Sequence, residues 1–291
     1  MTRRILVLGA AGMAGHVIAT YLSEQGYEVD TVSGSKKFDK KTRLINVLQI
    51  TSLESYLKEH NYDVVVNCIG MLVRQSESDK DKAVFLNSYL PHFLEKHFEK
   101  SKTKLIHLST DCVFSGKNAP YKEASWYDGE LFYDRTKALG EINNDKDLTF
   151  RMSIIGPDMQ LDGIGLFNWF FQQSGDISGY SKAMWTGVTT IELAKGINEA
   201  ILQDLTGLYH FVPESNISKF ELLRLFRDIF VRDDINVLKN DQISLDKTLV
   251  NTRSDFNYTI PDYVDMVNDM KTWVSNHSKL YNHYQRNVDK K

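Results

Sequence analysis

Three residues of this 291-residue chain carry types and spacing suited to acid–base chemistry: Thr110, Tyr133 and Lys137. Tyr133 and Lys137 are four apart, so on a helix they share one face and can point into the same cleft. A phenol ordinarily titrates near about pH 10 and exchanges its proton poorly at neutrality. An adjacent ammonium stabilises the phenolate and lowers that value toward working pH. The Thr110 hydroxyl can hydrogen-bond a reacting oxygen. The set can therefore deliver a proton to a carbonyl oxygen while hydride reaches the carbon. A Tyr-x-x-x-Lys pair alone is common on helix surfaces, so this reading requires a hydride donor held elsewhere by the chain.

Residues 9–15 supply the place for one. Gly9-Ala10-Ala11-Gly12-Met13-Ala14-Gly15 follows the apolar run Ile5-Leu6-Val7-Leu8. A buried strand that runs through a glycine-rich turn into a helix presents backbone N–H groups to a dinucleotide's pyrophosphate. The spacing is Gly-x-x-Gly-x-x-Gly. Gly9 permits the tight turn, Gly12 lets the helix start approach phosphate, and Gly15 lets helix pack on strand. At the end of the second strand an acid would hold the 2′-hydroxyl of NAD. The chain has Val32-Ser33-Gly34-Ser35-Lys36-Lys37 there, with Asp30 too early, inside the strand. Hydroxyls and lysines suit a 2′-phosphate, so NADPH is the expected cofactor and NADH the alternative. Its expected contacts are Gly9, Gly12, Met13, Ala14 and Gly15 at the turn, and Ser33, Ser35 and Lys36 after the second strand. Asn46 and Val47 follow in the third strand, Ile69, Gly70 and Met71 after the fourth, and Tyr133 and Lys137 join them from the catalytic set.

The elements that must position these residues alternate. Strands are expected at 5–8, 28–32, 44–48, 63–68 and 104–108. Between them lie helices at 13–25, closed by Gly26, at 53–58, opened by Ser52, and at 84–98, kinked at Pro91. Short links between strands and helices argue for an α/β fold, a Rossmann-type doubly wound parallel sheet with right-handed crossovers. Further strands are expected at 149–155 and 208–212, with helices at 166–173, 190–202, 219–230 and 263–275. The expected organisation is a cofactor domain over 1–155, to which 187–212 returns, and a smaller α/β substrate lobe over 156–186 and 213–291. The polar tail 276–291 is expected to be a frayed helix or disordered.

Composition narrows the class. Apolar residues at 42% and charged residues at 25% are ordinary for a globular protein. A net charge of −3 gives no reason to expect nucleic acid or an anionic membrane as partner. No apolar run approaches membrane-spanning length, and Met1-Thr2-Arg3-Arg4 leads into a strand without a cleavable leader. Cys68 and Cys112 are expected as two reduced, buried thiols of a cytoplasmic protein, and no Cys/His cluster has metal-ligand spacing. Helices that pair between subunits look like helices that pack internally, so the oligomeric state stays open, a homodimer included.

The run from Leu108 to Glu141, LSTDCVFSGKNAPYKEASWYDGELFYDRTKALGE, resembles the extended short-chain dehydrogenase/reductases. It is most similar to the dTDP-4-dehydrorhamnose reductases, with their Ser-Thr-Asp-x-Val-Phe, Pro-Tyr-x-Glu and Tyr-x-x-x-Lys-x-x-Gly-Glu patterns. Asn67-Cys68-Ile69-Gly70 fits the family's Asn-Ala-Ala turn. The resemblance is strong to Ile155 and looser beyond. It implies NADPH-dependent reduction of a nucleotide-linked 4-keto-6-deoxy sugar for polysaccharide precursor synthesis, with Thr110, Tyr133 and Lys137 as catalytic triad. Three positions depart from the pattern: Cys112 where tyrosine is usual, Asp134 where glycine follows the catalytic tyrosine, and Ile154 where a tryptophan commonly comes soon after the sixth strand's Arg-Thr-Ser. They lie near the sugar side, so a UDP-linked 2-acetamido-4-keto-2,6-dideoxyhexose suits the chain as well as the rhamnose precursor.

Arg74, Asp111, Cys112 and Trp185 are the candidate substrate contacts, with Lys182 and Arg253 as further candidates for a diphosphate. His92, His97 and His107 read as ordinary surface or strand residues. A 4,6-dehydratase would need Thr-Asp-Glu where this chain has Thr110-Asp111-Cys112, and an NAD-dependent epimerase would favour an acid after the second strand. A non-catalytic NADP-binding regulatory subunit is the other alternative.

Overall fold

The computed structural model describes residues 2–285. The first half runs β1 (Arg4–Leu8), α1 (Met13–Glu24), β2 (Glu28–Ser33), β3 (Arg43–Leu44), α2 (Ile50–Glu59), β4 (Val64–Asn67), α3 (Val73–Ser78), α4 (Lys80–Val84), a π-helical turn (Phe85–Tyr89), α5 (Leu90–Phe98), β5 (Lys104–Ser109) and α6 (Phe132–Leu139). The second half runs β6 (Leu148–Arg151), β7 (Ser153–Ile155), α7 (Leu166–Phe171), β8 (Gly175–Trp185), β9 (Gly187–Thr189), α8 (Thr190–Leu202), β10 (Gly207–His210), β11 (Ile217–Ser218), α9 (Lys219–Ile229), β12 (Ile235–Asp246), α10 (Tyr263–Asn276) and α11 (Asn282–Gln285).

Among the described residues, seven strands form one parallel sheet in the order β10-β6-β5-β4-β1-β2-β3. Ile5, Leu6, Val7 and Leu8 are fully buried, as are Val65 and Val66 of β4, because helices cover both faces of the sheet. The chain leaves β1 toward β2 and β3 on one side and resumes with β4, β5 and β6 on the other. The crevice between β1 and β4, at their carboxyl ends, is thus the switch point where such sheets take ligands. Both glycine-bearing turns, after Leu8 and after Asn67, open into it.

The second half builds a smaller layer. β8 lies between β12, parallel, and β11, antiparallel, while β7 and β9 form a separate parallel pair. α8 packs on α1 and delivers β10 to the edge of the main sheet beside β6. One apolar cluster runs from α1 and β1 through α8 to Phe167, Phe226, Met266 and Trp273, so both layers share a core.

Several elements differ from the sequence expectation. The third strand is Arg43–Leu44 rather than 44–48: the Ile45 N–H makes a last bond to the Ser33 carbonyl (2.9 Å), and the Asn46 side chain then accepts the Leu48 N–H, turning the chain toward α2. α2 starts at Ile50 instead of at Leu53 behind Ser52. The long helix expected at 84–98 begins earlier and widens into the π turn. Pro91 then sits in the first turn of α5, where a missing N–H costs little. β8 and β12 were not expected as strands. Gly175, Asp176, Ser178, Gly179 and Ser181 interrupt any apolar alternation in the first, and most of β12 faces outward. The first part of the tail is ordered: Tyr281 is fully buried and Tyr284 is 3% exposed. Residues 286–291 of that expected tail lie outside the described residues.

Candidate active site

The glycine turn is held by backbone geometry. Gly9 has φ +82°, a left-handed conformation that favours glycine, and its N–H donates to the Val32 carbonyl at 2.9 Å. A Cβ on Gly15 would stand 2.2 Å from the Gly9 oxygen, so only glycine allows α1 to start this close to β1. Gly12 is the N-cap of α1 and no side chain caps that first turn. A helix N-terminus left uncapped at a switch point suits an anionic group.

Two cavities meet there. One of about 450 Å³ is lined by Gly9, Gly12, Ser33, Ser35, Lys36, Asn46 and Val47. The other, of about 840 Å³, is lined by Met13, Ala14, Met71, Arg74, Thr110, Asp111, Cys112, Tyr133 and Lys137. Cys68, Ile69 and Gly70 line both, so the two form one groove from the loop after β2 to the end of β5. Gly15 stands behind the turn as a packing residue. Ser33 Oγ donates to the Lys36 carbonyl, and Lys36 Nζ donates to Gln160, which crosses the mouth of the smaller cavity from the second half of the chain. Asn168 Nδ2 holds that crossing segment through the carbonyls of Leu161 (3.0 Å) and Gly163 (2.6 Å). Asp30 is occupied inside β2 by Arg4 (2.7 Å) and the Tyr62 hydroxyl (2.9 Å). An uncapped helix start and a continuous groove with a lysine at one end fit a dinucleotide.

The catalytic candidates converge on the larger cavity. Thr110 directly follows β5; its hydroxyl donates to Asp111 Oδ1 (3.1 Å) and accepts the Cys112 N–H (3.2 Å). α6 places Tyr133 and Lys137 one turn apart, both buried. The Glu77 carboxylate accepts the Phe132 N–H at 2.8 Å and Asp134 accepts the Leu131 N–H at 3.2 Å, fixing the start of that helix. Lys137 Nζ donates to the Leu108 carbonyl at 2.8 Å, and burial pushes the amine down to about 8. Burial pushes the Tyr133 phenol up, with the Cys112 thiol adding to it and Thr110 opposing. The expected phenol lowered toward neutrality is not what the fold provides: burial dominates and holds Tyr133 above the ordinary tyrosine value. A neutral phenol is the form that can give a proton to a developing alkoxide. Burial likewise raises the Asp111 carboxyl against the pull of Lys219; Cys68 and Cys112, expected as buried thiols, are free but only half-buried in the groove wall, where desolvation raises them to about 12.

Three of the expected substrate contacts lie elsewhere. Trp185 is 3% exposed and packs beneath Lys219, whose ammonium sits 5.2 Å from the ring, so it is a core aromatic outside the groove lining. Lys182 projects from the exposed side of β8. Arg253 is pinned by Asp255 and donates to the carbonyls of Thr206 (2.7 Å) and Leu208 (3.0 Å), a structural clamp.

Residues outside the motif reading shape the site. Asn87, in the π turn, accepts the Met71 N–H (2.7 Å) and donates to Thr136 Oγ1 (3.1 Å), tying the loop after β4 to α6. His107 is no ordinary strand residue: it lies fully buried between Asn67 and Lys137. A histidine inside the apolar run of β5 was the available signal. Behind β5, the buried Glu141–Arg151 ion pair (2.5 Å) is joined by Ser109 (2.5 Å) and His210 (2.8 Å), which anchors the strand that ends in Thr110.

The chain is similar to several known proteins. The family model described as the RmlD substrate binding domain matches residues 3–156. The spore coat polysaccharide biosynthesis protein SpsK of Bacillus subtilis is 31% identical over 140 residues, 47% of this chain and 47% of that protein, so the match spans about half of its length. Methionine adenosyltransferase 2 subunit beta of Mus musculus is 30% identical over 244 residues, 79% of this chain and 72% of that protein. A solved dTDP-4-dehydrorhamnose reductase of Bacillus anthracis, in complex with NADP, superposes with a TM-score of 0.79 at 20% identity, covering 94% of this chain and 100% of that one, which shows the shared fold.

Proposed function

The chain belongs to the RmlD substrate-binding-domain family, and from that premise we propose that it reduces the C4 ketone of a nucleotide-linked 4-keto-6-deoxyhexose, with NADPH as the preferred reductant and NADH as the alternative. The observation that carries this reading is the convergence of Thr110, Tyr133 and Lys137 on a cavity continuous with the one at the glycine turn. In this reading residues 1–155 with 187–212 hold the cofactor, and 156–186 with 213–291 hold the sugar nucleotide. When held in the groove, a reduced nicotinamide would supply the hydride that C4 accepts. As that C–H bond forms, the carbonyl π electrons move to oxygen, and Tyr133 gives its proton to that oxygen. The Thr110 hydroxyl orients the ketone, and the Lys137 ammonium stabilises the phenolate left on Tyr133. Arg74, with Asp111 and Cys112, stands where the sugar and its diphosphate would enter. The sugar is a dTDP-linked rhamnose precursor or a UDP-linked 2-acetamido-4-keto-2,6-dideoxyhexose, destined for a cell-surface polysaccharide.

The test is NADPH oxidation against a panel of dTDP- and UDP-linked 4-keto-6-deoxy sugars. A second reading, a non-catalytic NADP-binding regulatory subunit, is favoured by the longer alignment with the mouse subunit, which spans 72% of that protein. NADPH binding without oxidation by any sugar of the panel would select it.

A further inference from the structure

His107 sits at the centre of a buried chain of polar groups whose donor directions can be followed outward from one fixed point. The Ile69 backbone N–H can only donate, and it donates to Asn67 Oδ1 at 3.1 Å. That fixes the Asn67 amide, so its NH2 group faces His107 Nδ1 at 3.2 Å as a donor. His107 Nδ1 must then carry a lone pair, and the proton of the neutral imidazole lies on Nε2. Lys137 Nζ stands 3.5 Å from that Nε2. Asn67 and His107 are fully buried and Lys137 is 5% exposed, at the wall of the groove.

We propose that His107 is a positioning residue of the catalytic set, held by Asn67 as its Nε2–H tautomer so that this N–H faces Lys137 and weakens the hold of Lys137 on its third proton. An ammonium cannot accept the N–H, whereas a free amine can, so the imidazole favours the amine. A cationic His107 is excluded on both sides, since neither the Asn67 NH2 group nor the Lys137 ammonium accepts. Other groups bear on Lys137. The Leu108 carbonyl from β5 favours the ammonium, as does the Glu141 carboxylate just beyond α6, itself shared with Arg151 and Ser109. The Tyr133 hydroxyl lies one turn earlier on α6. His92 and Lys137 both oppose a charge on His107. Burial by itself brings Lys137 down to about 8, so the imidazole acts on an amine already poised near neutrality. Lys137 then exchanges its proton close to neutrality, where an ordinary lysine would stay charged.

The functional meaning rests on the reductase reading, but the geometry can be tested without turnover. Long-range ¹H–¹⁵N NMR of the full chain with labelled histidine should show His107 bare at Nδ1 and protonated at Nε2, with that state unchanged from pH 5 to 9 (roughly; ordinary histidine titrates within this window). In His107→Gln the side-chain carbonyl can turn to Lys137 and accept from it. The Lys137 ¹³Cε titration, and the alkaline limb of turnover, should then move up by about one to two pH units, the size of one hydrogen bond to a charged group. His107→Leu, which removes the N–H without supplying an acceptor, should move both less, in the same direction. An Nδ1–H tautomer, a cationic His107, or an unmoved Lys137 titration in folded His107→Gln would overturn the proposal. A failure of the Gln variant to fold leaves the tautomer measurement on the unaltered chain decisive. A protein with the Nε2–H tautomer that reduces no sugar nucleotide would instead count against the reductase reading alone.

Discussion

At the scale of residues, the site separates two jobs that the motif alone assigns together. Burial holds Tyr133 above the ordinary tyrosine value and brings Lys137 down to about 8, while the imidazole of His107 stands 3.5 Å from the amine. Tyr133→Phe keeps the ring and deletes the proton, so turnover should fall by about 10²–10⁴-fold with little change in cofactor affinity; a steady-state assay paired with NADPH titration separates the two. The pH dependence has a definite sign. The proposed reduction draws on the Lys137 ammonium, whose value burial lowers to about 8, so its charge is lost as pH rises through that value and reductive turnover should decline on the alkaline side. A rate profile flat to the ordinary lysine range would contradict this. Thr110, Tyr133 and Lys137 were legible in sequence because their spacing encodes their meeting. His107 was not, because its role depends on Asn67 across a parallel strand pair and Lys137 on a helix thirty residues later, and no periodicity links the three.

At the scale of elements, the strand–turn–helix unit β1–α1 and the loop after β2 form the cofactor end in the proposed reading. Lys36 is the cation at that end of the groove, and Gln160 reaches it from the second half of the chain. Lys36→Glu places a like charge against a 2′-phosphate, so the Kd for NADPH should rise while that for NADH stays nearly constant; equilibrium titration with both nucleotides checks it, and an equal loss for both would remove Lys36 from the specificity reading. The β1–α1 unit was readable because a buried strand, a glycine spacing and an amphipathic helix follow each other in order. The β8–β12 pair was not, since polar residues interrupt β8, most of β12 faces outward, and the register is set by partners some sixty residues apart. The π turn at Phe85–Tyr89 was equally hidden: it answers to the packing of Asn87 on Met71 and Thr136, which no local propensity records.

At the scale of the whole molecule, the carboxyl-terminal segment closes back onto the start of the chain. His16 Nδ1 donates to the Gly12 carbonyl (2.8 Å), so its Nε2 accepts the Tyr281 hydroxyl (2.7 Å), which in turn accepts Trp273 Nε1–H (3.0 Å). Tyr284 bonds Asn168 (2.8 Å) and the Asp158 N–H (2.9 Å), bracing the segment that carries Gln160. Tyr281→Phe keeps the buried ring and strands a donor and an acceptor, so stability should drop by about 1–3 kcal/mol, read as a lower denaturant midpoint at unchanged m-value. A tail that looked polar and patternless is therefore part of the support of the glycine turn, a contact between residues over 260 apart that sequence spacing cannot express. The central claim concerns what this whole assembly does. NADPH deuterated at its transferable position, incubated with the purified chain and a panel of dTDP- and UDP-linked 4-keto-6-deoxyhexoses, should be oxidised by at least one of them with deuterium appearing at C4 of the new alcohol. NADPH that binds in the groove but is oxidised by none of the panel would contradict the account.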